Sequence, residues 1–173
     1  MPDSACSIFC LFYTGMTLIA VPALRAKPNG PSLVLFLLFV VWSGDISAYY
    51  AGSKWGRHKL APRLSPAKSW EGAVASILGS VAIAALLFEL ATLLQQRDIA
   101  VLSYPQDLHY WLIIAAVVNV AAQVGDLAES ALKRSVGVKD SGTLLPGHGG
   151  ILDRIDALLF AAPVLWCMQA MWL

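Results

Sequence analysis

The sequence predicts an all-α fold: a polytopic membrane helix bundle with about five transmembrane helices and cytoplasmic basic loops. Three observations carry that prediction. Residues of the AVILMFWYC set make up 58% of the 173 positions, and Asp, Glu, Lys and Arg only 13%, about half the charged share of a soluble domain. Mean hydropathy is +0.66, so too few charges exist to cover a water-facing surface. Five apolar stretches approach the ~20 helical residues that cross a ~30 Å hydrocarbon layer. Disordered, collagen-like and nucleic-acid-binding classes are excluded by the same composition. Alternation of apolar and polar residues is absent, which disfavours a membrane β-barrel.

The first stretch runs from about Ala5 to Leu24. No Lys or Arg precedes it, only Asp3, so the basic region of a signal peptide is missing and a retained span is expected. The second runs from Ser32 to Ala51, the third from Gly72 to Leu94, the fourth from Leu108 to Leu127 and the fifth from Ala157 to Leu173. All belong to a single integral-membrane domain covering residues 1–173. Pro22 and Pro163 lie inside spans, where neighbouring helices can satisfy the freed carbonyls. Trp111, Trp166 and Trp172 lie near span ends and read as interfacial anchors.

The joints differ in charge. Arg25 to Pro31 is a short turn, and Gln95 to Asp107 holds one basic residue, Arg97. Gly52 to Glu71 holds five: Lys54, Arg57, Lys59, Arg63 and Lys68. Glu129 to Asp156 holds four more: Lys133, Arg134, Lys139 and Arg154. Nine of the twelve basic residues thus fall in two joints that five alternating spans place on one side. The positive-inside rule makes that side cytoplasmic, with the N-terminus inside and the C-terminus outside. Cys6, Cys10 and Cys167 sit in apolar runs without a CxxC or Cys/His cluster, so neither zinc nor a disulfide framework is expected.

The acids near the span ends are informative, because a carboxylate at membrane depth costs a few kcal/mol or more and needs a polar cavity and a partner. Asp45 lies within the second span, Asp126 and Glu129 where the fourth ends, and Asp153 and Asp156 before the fifth. In helical form, each of the latter pairs shares a face through its i,i+3 spacing. Together they make the anionic, oxygen-rich site that magnesium takes, substrate phosphates filling its remaining positions. Simple helix-end charges, or salt bridges with Arg134 or Arg154, are the alternative. Lys59 to Gly72 brings basic and hydroxyl residues to the start of the third span, where free amides favour phosphate and Lys68 and Ser69 can add contacts. Anchoring to anionic lipids explains the same charges equally well. Gly147, Gly149 and Gly150 around His148 permit close backbone approach to a ligand. His58 and His109 carry no signal on their own.

These residues resemble a known family. Ser130 to Asp156, reading Ser-Ala-Leu-Lys-Arg-Ser-Val-Gly-Val-Lys-Asp-Ser-Gly-Thr-Leu-Leu-Pro-Gly-His-Gly-Gly-Ile-Leu-Asp-Arg-Ile-Asp, is similar to the signature of phosphatidate cytidylyltransferases, also called CDP-diacylglycerol synthases. Asp45-x-x-Ala48-Tyr49-x-x-Gly52, Ser65-Pro66-x-Lys68-Ser69-x-Glu71-Gly72 and Gly125-Asp126-Leu127-x-Glu129-Ser130 resemble the same family. The match runs from about Val40 to Pro163. Family members are usually longer, with further spans ahead of the region matched here.

The resemblance implies transfer of the cytidylyl group of CTP to phosphatidate, giving CDP-diacylglycerol and pyrophosphate in phospholipid biosynthesis. It implies Mg2+ and, beside it, a second monovalent cation such as K+. By motif, Asp126, Asp153 and Asp156 correspond to metal-binding carboxylates, with Glu129 and Asp45 as further candidates. Lys68, Lys133, Arg134, Lys139, Asp140 and His148 are the candidate catalytic residues. Ser65, Pro66, Ser69, Gly149, Gly150 and Arg154 are the candidate substrate-binding residues. CTP, phosphatidate, membrane lipids and a second copy of the chain are the implied partners, without nucleic acid. A bacterial-type inner membrane with the active site facing the cytoplasm is the implied location. Two rivals remain at this point: a catalytically silent structural subunit and an ion-coupled transporter using Asp45, Asp126 and Asp153. A transporter usually shows paired halves with interrupted helices, and none is visible here.

Overall fold

The computed structural model describes residues 3–135, 137, 138, 141, 142, 150 and 152–171. Its helices are α1 (Asp3–Arg25), α2 (Gly30–Trp55), α3 (Trp70–Gln95), α4 (Leu108–Ser135) and α5 (Leu152–Met171). Three of them, α2, α3 and α4, are long and apolar enough to cross a membrane. The stretches Leu11–Arg25 of α1 and Ile155–Met171 of α5 are shorter apolar helices.

Helix boundaries follow the turn chemistry. Pro31 lies in the first turn of α2, where its missing N–H costs nothing and its fixed φ suits a helix. Gly30 packs against the backbone of Arg25, so closely that a Cβ there would overlap the Arg25 carbonyl. Ser69 caps α3, its hydroxyl accepting from the Gly72 N–H at 3.2 Å. Without that acceptor one N-terminal amide would be orphaned.

Around the bundle, α1 packs on α5, α5 on α4, α4 on α3 and α3 on α2. The α2–α3 seam is built from small residues, as expected where lipid tails remove any hydrophobic drive between helices. Ser43 Oγ donates to the Gly79 carbonyl at 3.0 Å, and Ser80 Oγ to the Val40 carbonyl at 2.6 Å. Large apolar side chains point outward, among them Leu11, Leu18, Leu78 and Leu86. Inside, Phe36, Tyr104 and Trp111 form an aromatic cluster with ring centroids 4.9–6.0 Å apart. The Tyr104 hydroxyl donates to the Ser32 carbonyl at 3.2 Å, tying the α3–α4 connection to the start of α2.

Three sequence expectations change. Trp111 is 1% exposed and belongs to the core, not to an interface; its span end turns inward under the 96–107 connection. The basic joint after α2 contains a hairpin, β1 (Lys59–Ala61) antiparallel to β2 (Ser65–Ser69), pairing Lys59 with Ser69 and Ala61 with Ser65. Strands this short, with one proline and no alternation of burial, leave no periodic signal. Finally, α4 continues past the apolar stretch to Ser135 and α5 starts at Leu152. Hydropathy marks where the apolar layer ends, whereas the backbone ladder continues as long as hydrogen bonds can form.

Candidate functional site

The continued helix decides the site. On α4, Asp126, Glu129 and Lys133 follow one another at spacings of three and four, which lie on one face. The start of α5 supplies Asp153 and Asp156. Carboxylate oxygens of Asp126, Glu129 and Asp156 all lie within 4.8 Å of one another. Glu129 is 1% exposed, and its Oε1 accepts no hydrogen bond among the described residues. A buried acceptor left in that state is expensive unless a cation or donor reaches it. Three hard oxygen donors converging on one point suit Mg2+, so the residues present fit the metal that the sequence motifs imply.

Two lysines bracket the triad. Lys133 Nζ lies 2.5 Å from Glu129 Oε2 and 2.7 Å from Asp153 Oδ1. Lys68, carried on β2, reaches across to Asp126 Oδ2 at 2.5 Å. Among the described side chains, the cationic partners of these acids are Lys68 and Lys133. Arg134 is exposed and points elsewhere, toward the carbonyls of Leu64 and Val138 at 3.4 and 3.5 Å.

Asp153 has a separate environment. One carboxylate oxygen takes the Gly150 N–H at 2.7 Å, the Ser141 N–H at 2.9 Å and the Ser141 hydroxyl at 2.9 Å. Burial raises the Asp153 pKa, but Lys133 and these donors outweigh it and hold the carboxyl below its usual range. Asp153 thus stays ionised and ties residues 141 and 150 to the start of α5. Gly150 is buried there, and a Cβ would collide with Ser141 Oγ.

The site opens on a cavity of about 440 Å³ between α2, β2, α3 and α4, whose lining includes Asp45, Tyr49, Lys68, Ser76, Gln123 and Asp126. Ser69 also reaches this cavity, although its oxygen is engaged in capping α3. Ser65 is half-buried and Pro66 exposed on β2; neither is among the cavity's lining residues. Lys139, Asp140, His148 and Gly149 lie outside the described residues, as does the Arg154 side chain.

Some residues at the site carried no weight in the sequence reading. The Tyr13 hydroxyl of α1 donates to the carbonyls of Gly125 and Asp156 at 3.2 and 3.3 Å, pinning both acid-bearing helices together. Nothing local marks a tyrosine for that task. Asn119 and Gln123 form a polar pair inside α4, with Gln123 Nε2 2.7 Å from Asn119 Oδ1. Their i,i+4 spacing in an apolar span was a usable signal. His58, uninformative in sequence, holds Glu71 through its ring at 2.6 Å and its backbone N–H at 3.2 Å. That contact fastens the hairpin to the first turn of α3.

The model of the cytidylyltransferase family matches residues 1–172. The phosphatidate cytidylyltransferase of Brucella abortus is 42% identical over 163 residues, 94% of this chain and 56% of the relative. That of Thermotoga maritima is 42% identical over 161 residues, 93% of this chain and 57% of the relative. That of Bacillus subtilis is 41% identical over 143 residues, 83% of this chain and 49% of the relative. The chain spans about half the length of these curated relatives. It belongs to the cytidylyltransferase family.

Proposed function

We propose that this member of the cytidylyltransferase family transfers the cytidylyl group of CTP to phosphatidate, releasing pyrophosphate and forming CDP-diacylglycerol at the cytoplasmic face of a membrane. The observation that carries the reading is the convergence of Asp126, Glu129 and Asp156 between Lys68 and Lys133. Its position beside three membrane-length helices supports a lipid substrate. Five spans, with the two basic joints on the cytoplasmic side, complete the proposed topology.

Phosphatidate is already an anionic nucleophile, so the transfer needs no strong general base. Its phosphate oxygen attacks the α-phosphorus of CTP, and the bond to the pyrophosphate oxygen breaks. The obstacle is electrostatic, since two polyanions must meet. Asp126, Glu129 and Asp156 would hold Mg2+, which when bound neutralises phosphate charge and steadies the leaving oxygen. Asp45, on the same cavity, adds negative charge that favours a cation over a bare anion. Lys68, beside Asp126, would offset the charge of substrate phosphate. Lys133 keeps Glu129 and Asp153 in place, and Asp153 shapes the connection through residues 141 and 150. In this assignment Glu129 joins the metal set and Asp153 organises the structure around it. Lipid tails stay in the bilayer throughout.

The test supplies the full chain in lipid vesicles with labelled CTP, phosphatidate and Mg2+. CDP-diacylglycerol and pyrophosphate should form in equal amounts. Asp126→Asn, Glu129→Gln and Asp156→Asn should each lower turnover by ~100-fold or more and raise the Mg2+ requirement, because a carboxamide is a poor magnesium ligand. Asp153→Asn should lower turnover with the Mg2+ requirement unchanged. Near-normal turnover and magnesium dependence in Asp156→Asn would overturn the reading.

A further inference from the structure

Below the acid cluster, a chain of hydrogen bonds runs from the bundle interior to the cavity, and every link has one direction. Ser80 Oγ lies 2.6 Å from the Val40 carbonyl, which can only accept, so the Ser80 proton is committed there. Ser80 must then accept from Asn119, 2.8 Å away, and this fixes the Asn119 amide nitrogen on that side. The same nitrogen donates to Ser76 Oγ at 2.9 Å. Asn119 Oδ1 therefore faces Gln123 and accepts from its Nε2 at 2.7 Å. The second Nε2 proton goes to the Ala73 carbonyl at 3.2 Å. Gln123 has spent both donors, and flipping its amide would set Oε1 against two acceptors. The surroundings leave no slack: a Cβ on Gly44 would fall on Asn119 Nδ2.

What remains to face a ligand follows from this relay. Gln123 and Ser76 both line the cavity. Gln123 keeps only the Oε1 acceptor, and the Ser76 hydroxyl proton has no acceptor among the described residues. The cavity floor thus presents an acceptor of fixed polarity beside a hydroxyl donor. Phosphatidate has both remaining glycerol hydroxyls esterified, so outside its phosphate it offers no donor to such an acceptor. A cytosine edge offers the matching pair: an exocyclic amine and, next to it, the N3 acceptor. Uracil reverses both, presenting a carbonyl oxygen and an N3–H.

We propose that Gln123, held in one orientation by Asn119 and Ser80, is a specificity-determining residue that accepts from the exocyclic amine of cytosine while Ser76 donates to ring N3. The assignment rests on the reading of CTP as substrate. It gives base selectivity a physical source, since a buried acceptor facing an acceptor is left unpaired as well as unrewarded.

Calorimetric titration of the full chain in lipid nanodiscs with CTP, UTP, dCTP and N4,N4-dimethyl-CTP, each with Mg2+, tests it without requiring turnover. The unaltered protein should bind UTP and the dimethyl analogue at least ~10-fold more weakly than CTP, the discrimination of one good base-edge contact pair. It should bind dCTP within ~3-fold of CTP, because the sugar hydroxyl is not the partner. Gln123→Met should bring CTP and UTP within ~3-fold of each other. A Gln123→Met protein that keeps the full CTP preference overturns the assignment. So does a dimethyl analogue that binds as tightly as CTP, a selective loss with dCTP, or failure of the unaltered protein to bind CTP. The analogue arm needs no substitution, so misfolding of the variant cannot hide the answer. Selective CTP binding without CDP-diacylglycerol formation would refute the proposed turnover and leave this base contact standing.

Discussion

Replacing Lys133 by Met removes the cation that joins Glu129 to Asp153, at 2.5 and 2.7 Å. Methionine keeps the apolar stem and leaves two carboxylates facing one another. Glu129 is 1% exposed and the Asp153 side chain 9%, so water compensates poorly for the lost ammonium on Glu129. Breaking a buried pair by deleting one partner costs about 3–5 kcal/mol. The Lys133 side chain is 18% exposed, which places the loss near the lower end, about 3 kcal/mol. For a chain of this size that is a fall of roughly 6–12 °C in Tm. Most of the loss is the stranded charge rather than the missing attraction. Adding Glu129→Gln should therefore restore about 2 kcal/mol, making the double variant more stable than Lys133→Met alone. A metal bound to the triad opposes the same charge, so Mg2+ at 100 times its dissociation constant should recover up to about 2.7 kcal/mol. Thermal unfolding in detergent, followed by tryptophan fluorescence with Mg2+ or with EDTA, measures all three effects. A Lys133→Met protein melting within about 2 °C of the unaltered chain without Mg2+ would refute the reasoning. A double variant no more stable than the single would refute it equally.

Other outcomes follow from neighbouring features. Lys68→Ala should lower turnover by ~100-fold while changing stability by no more than about 1 kcal/mol, since its pair with Asp126 is partly exposed; Arg63→Ala, exposed on the hairpin turn, should lose less than ~3-fold, and equal losses would point to lipid anchoring. Gly44→Ala should destabilise by about 1–3 kcal/mol because its methyl would meet Asn119, Ser76 and Ser80, whereas Gly15→Ala, with nothing within 4 Å, should be neutral or slightly stabilising; comparable melting temperatures for the two would refute the close packing around Gly44. An impermeant label directed at cysteines placed at Lys59 and Lys139 should reach both only from the cytoplasmic side, and labelling from opposite sides would overturn the span count.

Composition and periodicity determined the helices of this protein and the positions of its acids relative to the apolar layer. They did so because both are local properties: a helical residue's neighbours along one face lie three or four positions away. The pairing of Asp126 with Glu129 on one face is of that kind, and so is the concentration of basic residues in two joints. Which acids meet was not local. The motifs put Asp153 ahead of Glu129 as a metal-binding carboxylate, yet where α4 and α5 cross it is Glu129 whose oxygens lie with those of Asp126 and Asp156, while Asp153 meets Lys133, Ser141 and Gly150. Tyr13 reaches the Asp156 carbonyl across 143 positions of chain, and Lys68 reaches Asp126 only because an unforeseen hairpin swings it there. Trp111 reads as an interfacial anchor until Phe36 and Tyr104 enclose it. The polarity of Gln123 depends on a proton donated to Val40 on another helix. Each of these rests on helices meeting at particular faces, and that is settled by packing of small residues and by the direction of buried hydrogen bonds, neither of which any single segment contains.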